Sequence, residues 1–391
     1  MTILTNENET VPVLQLAMSL DIGGVETQVV GLAKSLRAAG WPVYVASNGG
    51  RRVADLSSSQ ISHYSAPLHS RSPLKMLEAA KRISALIDDL GIRIVHAHAR
   101  IPAWLSTGIC RRKGIKLVTT YHGTYVSGVF WNMFTKPGDL TIAVSQDVKD
   151  YVIDEFGFDP EKTVVAPNGI DTETYRPPSH EESTKAKASF GVEPGLGPVV
   201  VYASRMNAGL SATAGQVIDA ISSLLAKHPR MVLIVAGDGD GLAEVRQRAE
   251  RVNRLAGRKA VLCPGFVLDT SPMYQASDLV VGMSRVVLEG MAAGRPAIVV
   301  GPDGMFGIAG PENHEALEDR NFTSRGAPRP STPEAIAFEI ERLLSDAALS
   351  DSLGKWGRET ILSRHSMDMM AAQVVEVYET VMSGGSPTVR I

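Results

Sequence analysis

The sequence predicts an α/β fold made of two domains, each a parallel sheet with helices on both faces. Three observations lead there. The chain has 391 residues, too many for one ordinary core and suited to two domains of about 150–200 residues each. Short apolar runs of strand length alternate with helix-length runs, the pattern of a parallel sheet covered by crossover helices. One stretch, Ala276 to Pro302, reading ASDLVVGMSRVVLEGMAAGRPAIVVGP, spells a complete strand–helix–strand step.

Within that stretch Asp278 to Val281 reads as a buried strand and Gly282 to Arg285 as a tight loop. Val286 to Ala293 reads as a helix stopped by Gly294, and Ala297 to Val300 as the next strand. A helix that starts just past a strand's carboxyl end turns unpaired N–H groups and a positive dipole end toward the crevice, which suits a phosphate. Glu289 interrupts this small-residue and apolar helix. Burying an unpaired carboxylate is costly, so it is expected to face water or a ligand, and a ribose diol has the right chemistry.

The first half follows the same alternation. Val11 to Met18 is an apolar strand run, and Ser19 to Glu26 a loop with Gly23-Gly24 that opens a helix through about Ala39, stopped by Gly40. Trp41 to Ala46 returns as a strand, Pro73 to Leu90 as a helix, and Ile92 to Ala97 as a strand ending in His96-Ala97-His98. Helical Pro102 to Lys113 leads to the strand Lys116 to Thr120, and Asp139 to Ser145 continues the sheet before the helix Gln146 to Phe156. Ligands gather at the carboxyl ends of such strands, so the loops after Met18, Ala97 and Thr120 should line one crevice. Glycines at Gly23 and Gly24 let backbone N–H groups approach a phosphate or sugar closely. They are not a dinucleotide fingerprint: G-x-G-x-x-G is missing.

In the second half Pro198 to Ala203, Met231 to Ala236 and Ala260 to Val267 read as strands, and Ser366 to Val381 as a last amphipathic helix. The tract Arg176 to Gly197, rich in Pro, Ser and Lys, reads as the hinge, giving domains at 1–180 with 366–391 and at 181–365.

Composition narrows the function. With 44% hydrophobic and 21% charged residues this is an ordinary globular chain, and a net charge of −3 argues against a nucleic-acid partner. Cys110 and Cys263 sit apart in apolar segments and read as buried thiols in a reducing compartment. No apolar run reaches the ~20 residues that span a bilayer. The opening MTILTNENETVPV has no basic region and does not read as a signal peptide, so a cytoplasmic location is expected. The basic stretch 71–87, with Arg71, Lys75, Lys81 and Arg82 beside Leu74, Leu77 and Ile83, reads as a solvated face, or as a peripheral contact at the inner membrane face.

The run LEGMAAGRPAIV resembles the nucleotide-sugar-binding end of family 4 glycosyltransferases. The resemblance implies a GT-B fold: two Rossmann-like domains facing a central cleft, the last helix crossing back to the first. It implies a retaining, metal-independent hexosyltransferase using a nucleotide-sugar donor, UDP-linked by first expectation, and a hydroxyl acceptor. Glu289 matches the glutamate that holds the donor ribose, and Arg205, in Ser204-Arg205-Met206, the arginine on the donor diphosphate. Gly23, Gly24 and Glu26 match a GG-x-E loop facing diphosphate and acceptor, and His122, in Thr-Thr-Tyr-His-Gly, a histidine that reaches the sugar or acceptor. Asn168 and Gly169, in a strand and N-G-[IV]-D turn before the linker, read as turn chemistry.

Two family positions depart. The lysine expected five residues after Arg205 is Leu210, and the first glutamate of the E-x7-E pattern falls on Val281. Arg285 or the nearby helix start is expected to replace the lost charge on the leaving diphosphate. These gaps keep two alternatives open: a binding or partner subunit that has lost catalysis, and a sugar-nucleotide epimerase of the same fold. No metal site is expected. His96 and His98 should share a strand face but lack a third ligand, and Asp238 and Asp240 belong to a glycine-rich turn.

Overall fold

Nearly every apolar run above becomes a buried strand. In the computed structural model, which describes residues 10–21, 23–125 and 128–385, the first unit carries β1 (Val13–Leu16), β2 (Val43–Ser47), β3 (Ser62–Ser65), β4 (Ile94–Ala97), β5 (Lys116–Tyr121), β6 (Leu140–Ala143) and β7 (Thr163–Val165). They form one sheet in the order β3-β2-β1-β4-β5-β6-β7, parallel throughout. β1, β4 and β6 are buried along their whole length, as parallel strands covered on both faces must be. The helices are α1 (Gly24–Ala38), α2 (Val53–Ser57), α3 (Pro73–Asp89), α4 (Arg100–Lys113), α5 (Val129–Phe134) and α6 (Gln146–Phe156).

The second unit carries β8 (Val199–Ala203), β9 (Val232–Ala236), β10 (Val261–Gly265), β11 (Leu279–Gly282), β12 (Ala297–Gly301) and β13 (Gly304–Ile308) in the order β10-β9-β8-β11-β12-β13. Only β13 runs antiparallel, against β12. Its helices are α7 (His180–Ser189), α8 (Ala208–Leu224), α9 (Leu242–Ala256), α10 (Ser271–Ala276), α11 (Arg285–Ala292), α12 (His314–Glu318), α13 (Pro333–Ser345) and α14 (Ala347–Arg364). The last helix, α15 (Met367–Ser383), belongs to the first unit. Its Met370, Val374, Val377, Tyr378 and Val381 share that unit's core with Leu36, Trp41 and Val43.

The chain passes from the first unit to the second after Gly169 and returns at Met367. At that crossing Ile170 N–H donates to His365 O at 2.7 Å and Ile170 bridges Ser366. The expected hinge at 176–197 is therefore corrected: most of it is built into the second unit. Ser179 and Glu182 cap α7 reciprocally, Arg176 pairs with Glu182, and Ala186 and Val192 lie in the core. A Ser-x-x-Glu capping box starts a helix, and here it outweighs the loop-like composition. Cys110 is buried but Cys263 is only half-buried, because β10 is the sheet edge.

Strand order reverses between β1 and β4 and between β8 and β11. Chains leave such a switch point in opposite directions, opening a crevice at the carboxyl ends. No described helix is long and apolar enough to cross a membrane. The reading of the amino terminus falls largely on residues 1–9, outside the described residues.

Candidate functional site

At the β8/β11 switch point two neighbouring strands each run into a helix. After β8, Ser204-Arg205-Met206 leads to Asn207, whose side chain accepts the Leu210 N–H at 3.3 Å and caps α8. After β11, Met283 and Ser284 lead directly into α11. Ser284 has φ 53, a left-handed conformation uncommon for a residue with a side chain. Its N–H donates to Phe322 O at 2.6 Å, which fixes the turn. Two helix N-termini thus follow the carboxyl ends of adjacent strands, an arrangement that attracts anions.

Arg205 is exposed on the first of these loops. The loop is held by the run Gly237 to Gly241: Met206 N–H donates to Asp238 O at 2.8 Å, and Gly241 N–H to Met206 O at 2.7 Å. Gly237 has φ 147, and a Cβ there would lie 1.9 Å from Ser204 O. The glycines let two backbones touch, while Asp238 and Asp240 point into solvent.

Glu289 is 6% exposed. Its Oε1 accepts from Arg285 Nε at 3.0 Å and lies 2.8 Å from Nη2; its Oε2 accepts from the Tyr274 hydroxyl at 2.9 Å and from Thr270 at 3.4 Å. Tyr175 bonds Thr270 in turn at 3.0 Å. The expectation that the carboxylate must face water or a ligand to be tolerated is corrected in one respect: it is buried against protein partners. The helix places Arg285 one turn back on the same face, and the paired charge can then be buried. Arg285, expected on a diphosphate, is engaged with Glu289. Burial and the Glu289 charge hold the Tyr274 hydroxyl well above its ordinary pKa, so it remains a donor to the carboxylate.

At the β1/β4 switch point Gly23 caps α1 with extended backbone and accepts from Thr27 Oγ1 at 3.0 Å. Gly24 is exposed and Glu26 half-buried in the first turn. His96, at the end of β4, sits with Nδ1 2.7 Å from the Tyr378 hydroxyl and Nε2 2.6 Å from Thr120 Oγ1. The His98 ring lies beside it, tilted by 32° with the centroids 4.1 Å apart, and His98 Nδ1 lies 3.3 Å from His122 Nε2. Asn168 also bonds His122. Burial pushes His122 down to about 4 and His96 to about 3, and it holds His98 well below the usual imidazole range. All three rings are neutral at pH 7. Both nitrogens of His96 are committed to hydroxyls, and His122 Nε2 is shared with His98. His98 Nε2 is buried with no hydrogen-bond partner.

The family model described as "Glycosyltransferase Family 4" matches residues 22–174, and the one described as "Glycosyl transferases group 1" matches residues 197–346. The chain belongs to the family 4 glycosyltransferases. It is 27% identical over 376 residues to "Putative glycosyltransferase EpsD" of Bacillus subtilis, covering 89% of this chain and 92% of that protein. Among solved structures it is similar to a glycosyltransferase from Rickettsia africae, with TM-score 0.79, 22% identity and 97% and 100% of the two chains covered. It is also similar to Anabaena HepE in complex with UDP-glucose, with TM-score 0.73, 20% identity and 95% and 100% covered. Those likenesses bear out the GT-B fold.

In this glycosyltransferase the two departures acquire a structural meaning. Val281 is fully buried inside β11, and the two residues between β11 and α11 include no acid. Leu210 is half-buried in the first turn of α8, and its carbonyl accepts the Tyr202 hydroxyl at 3.2 Å. In these two loops, 204–210 and 283–285, Arg205 is the cation outside the Glu289 pair. Tyr274, Thr270 and Tyr175 join Glu289 from segments that carry no local sequence signal, whereas the Arg285 to Glu289 spacing of four is itself a signal for the pair. In the stretch 71–87, Ala79, Ile83 and Ile87 are buried, while Leu74 and Leu77 are 80% and 55% exposed.

Proposed function

We propose that this glycosyltransferase is a retaining hexosyltransferase that moves a sugar from a nucleotide-sugar donor, UDP-linked in the first instance, to a hydroxyl acceptor without a metal in the reaction. The observation that carries this is that the N-termini of α8 and α11 follow the carboxyl ends of adjacent strands, with Arg205 on the loop before α8 and Glu289 one turn into α11. The diphosphate would lie against those N–H groups and Arg205. The ribose diol would reach Glu289, taking the place of the long Thr270 bond. HepE holds UDP and UDP-glucose in its structures, which supports UDP as the first nucleotide to try.

In the transfer the bond from the sugar's anomeric carbon to the diphosphate breaks, the acceptor oxygen bonds to that carbon on the same face, and the acceptor's proton passes to a diphosphate oxygen. Nothing on the protein need act as nucleophile. The protein supplies positive potential to the leaving group, and with leucine at 210 that falls to Arg205 and the helix ends. The proposal assigns Gly23, Gly24 and Glu26 to the acceptor side, with the neutral imidazoles of His122 and His98 as directed hydrogen-bond partners. The buried Val281 and the leucine at 210 also favour a second reading, a nucleotide-binding subunit without turnover.

The test is a melting screen with UDP, GDP, dTDP, ADP and CDP and their sugar conjugates. At a hundredfold excess over its dissociation constant a nucleotide stabilises by about 2.7 kcal/mol, which moves a domain of this size by roughly 5–10 °C. Stabilisation by UDP that is lost in Arg205→Ala is expected. No response to any nucleotide would sink the proposal, and binding without release of UDP from UDP-sugars in the presence of any acceptor would select the second reading.

A further inference from the structure

We propose that the second unit holds a structural divalent transition metal, Zn2+ in the first instance, on His314, Glu318 and His365, whose side chains converge with four buried polar atoms left unpartnered. His314 and Glu318 stand four apart on α12 and so share a face; His365 follows the end of α14. His314 Nε2 lies 3.8 Å from Glu318 Oε2, and His365 Nε2 lies 3.4 Å from Glu318 Oε1. One ligand atom from each of the three lies within 4.8 Å of the others. Nitrogen and oxygen ligands bound to tetrahedral zinc at about 2.0–2.2 Å stand about 3.3–3.6 Å apart, so a small contraction of the group seats the ion.

Burial makes this more than a surface cluster. His365 is 2% exposed. Both its ring nitrogens, His314 Nε2 and Glu318 Oε1 are buried with no hydrogen-bond partner, whereas interiors satisfy nearly all such atoms. An ion would take one lone pair from each of the three residues. Arg364 Nη1 donates to Glu318 Oε2 at 2.9 Å, which leaves Oε1 toward His365 in the way that ligating carboxylates are held by an outer partner. Carboxylate and neutral imidazole are the forms a metal binds.

The surroundings are aromatic. The Trp356 ring meets His314 edge-on at 5.5 Å, and Phe322 meets His365 edge-on at 5.6 Å. Phe322, at φ 53, is the residue whose carbonyl holds the Ser284 N–H. An ion here would join α12 to the end of α14 and fix the segment that shapes the start of α11. Such a site is independent of the metal-free transfer proposed above.

The full chain, freed of metal with a chelator and dialysed, is titrated with Zn2+ and with Co2+. One equivalent bound, a raised melting temperature and visible Co2+ bands of a four-coordinate site are expected. Glu318→Gln and His365→Gln should each weaken Zn2+ binding at least about tenfold with an unchanged circular dichroism spectrum. Should a variant not fold, X-ray absorption at the zinc edge of the wild type decides by counting two imidazoles. No binding by the wild type, affinity unchanged in both variants, or a different imidazole count overturns the site.

Discussion

Acidifying the protein from pH 7 to pH 5 should strip the first unit of much of its stability, through His96, His98 and His122. Each ring is held neutral by burial in the folded state, with His122 pushed to about 4 and His96 to about 3, and each titrates near 6.5 when unfolded. The unfolded chain therefore takes up protons that the folded one refuses. Stability is full above pH 6.5 and falls as the pH drops toward the folded values. Linkage gives a loss of about 2 kcal/mol per histidine between pH 7 and pH 5, so about 4 kcal/mol for His96 and His122, with His98 acting in the same direction. That is a large share of an ordinary domain's stability. Carboxylates held low in the folded state, such as Glu318 at about 2, lose stability only at lower pH, which keeps the window specific.

Urea unfolding at pH 7, 6 and 5 reads this out. In a Trp356→Phe background the remaining tryptophans, Trp41, Trp104 and Trp131, all report on the first unit. A stability change under about 1 kcal/mol across that window, where at least 4 is predicted, or histidine resonances of His96 or His122 titrating near 6.5, would refute the reasoning.

Other outcomes follow from packing and charge. Gly237→Ala should destabilise the second unit by about 3 kcal/mol, because its Cβ would meet Ser204 O and its φ is one that side chains resist; a change under about 1 kcal/mol in chemical denaturation would contradict that account. Glu289→Gln leaves the Arg285 charge buried without its counterion and should cost about 3–5 kcal/mol, whereas the double variant Glu289→Gln/Arg285→Met should recover most of it. Additive losses in that cycle would show that the pair is not coupled.

The sheet was legible because parallel strands buried on both faces are written as unbroken apolar runs; β1, β9 and β12 stand within two residues of where VPVLQLAM, MVLIVA and AIVV place them. β3 was not legible. It is a four-residue edge strand, Ser-His-Tyr-Ser, with no buried residue, and its pairing to β2 comes from position alone. β13 was missed for a related reason, since Gly304-Met-Phe-Gly-Ile reads as a turn until β12 offers it an edge. At the site, Glu289 and Arg205 stood out because charge in an apolar or loop context needs a partner. Which partner each takes was hidden: Tyr274 and Thr270 come from another segment, and the His96–His98–His122 contact joins two strands that only the register of β4 on β5 brings together. The His314 group was hidden likewise, since His365 lies far along the chain from α12.

One hydrogen bond, from Ile170 N–H to the carbonyl of His365, has a consequence for how this protein could have been assembled. The second unit enters and leaves at one place, its two ends about a strand spacing apart. A segment with adjoining ends can be removed or exchanged by joining what flanks it, without rethreading either sheet. The half that carries Arg205 and Glu289 is in that sense a cassette. A gene for a different second half could replace it through the two adjoining junctions, after Gly169 and before Met367, while α15, which completes the first unit's core, stays with its own partner strands.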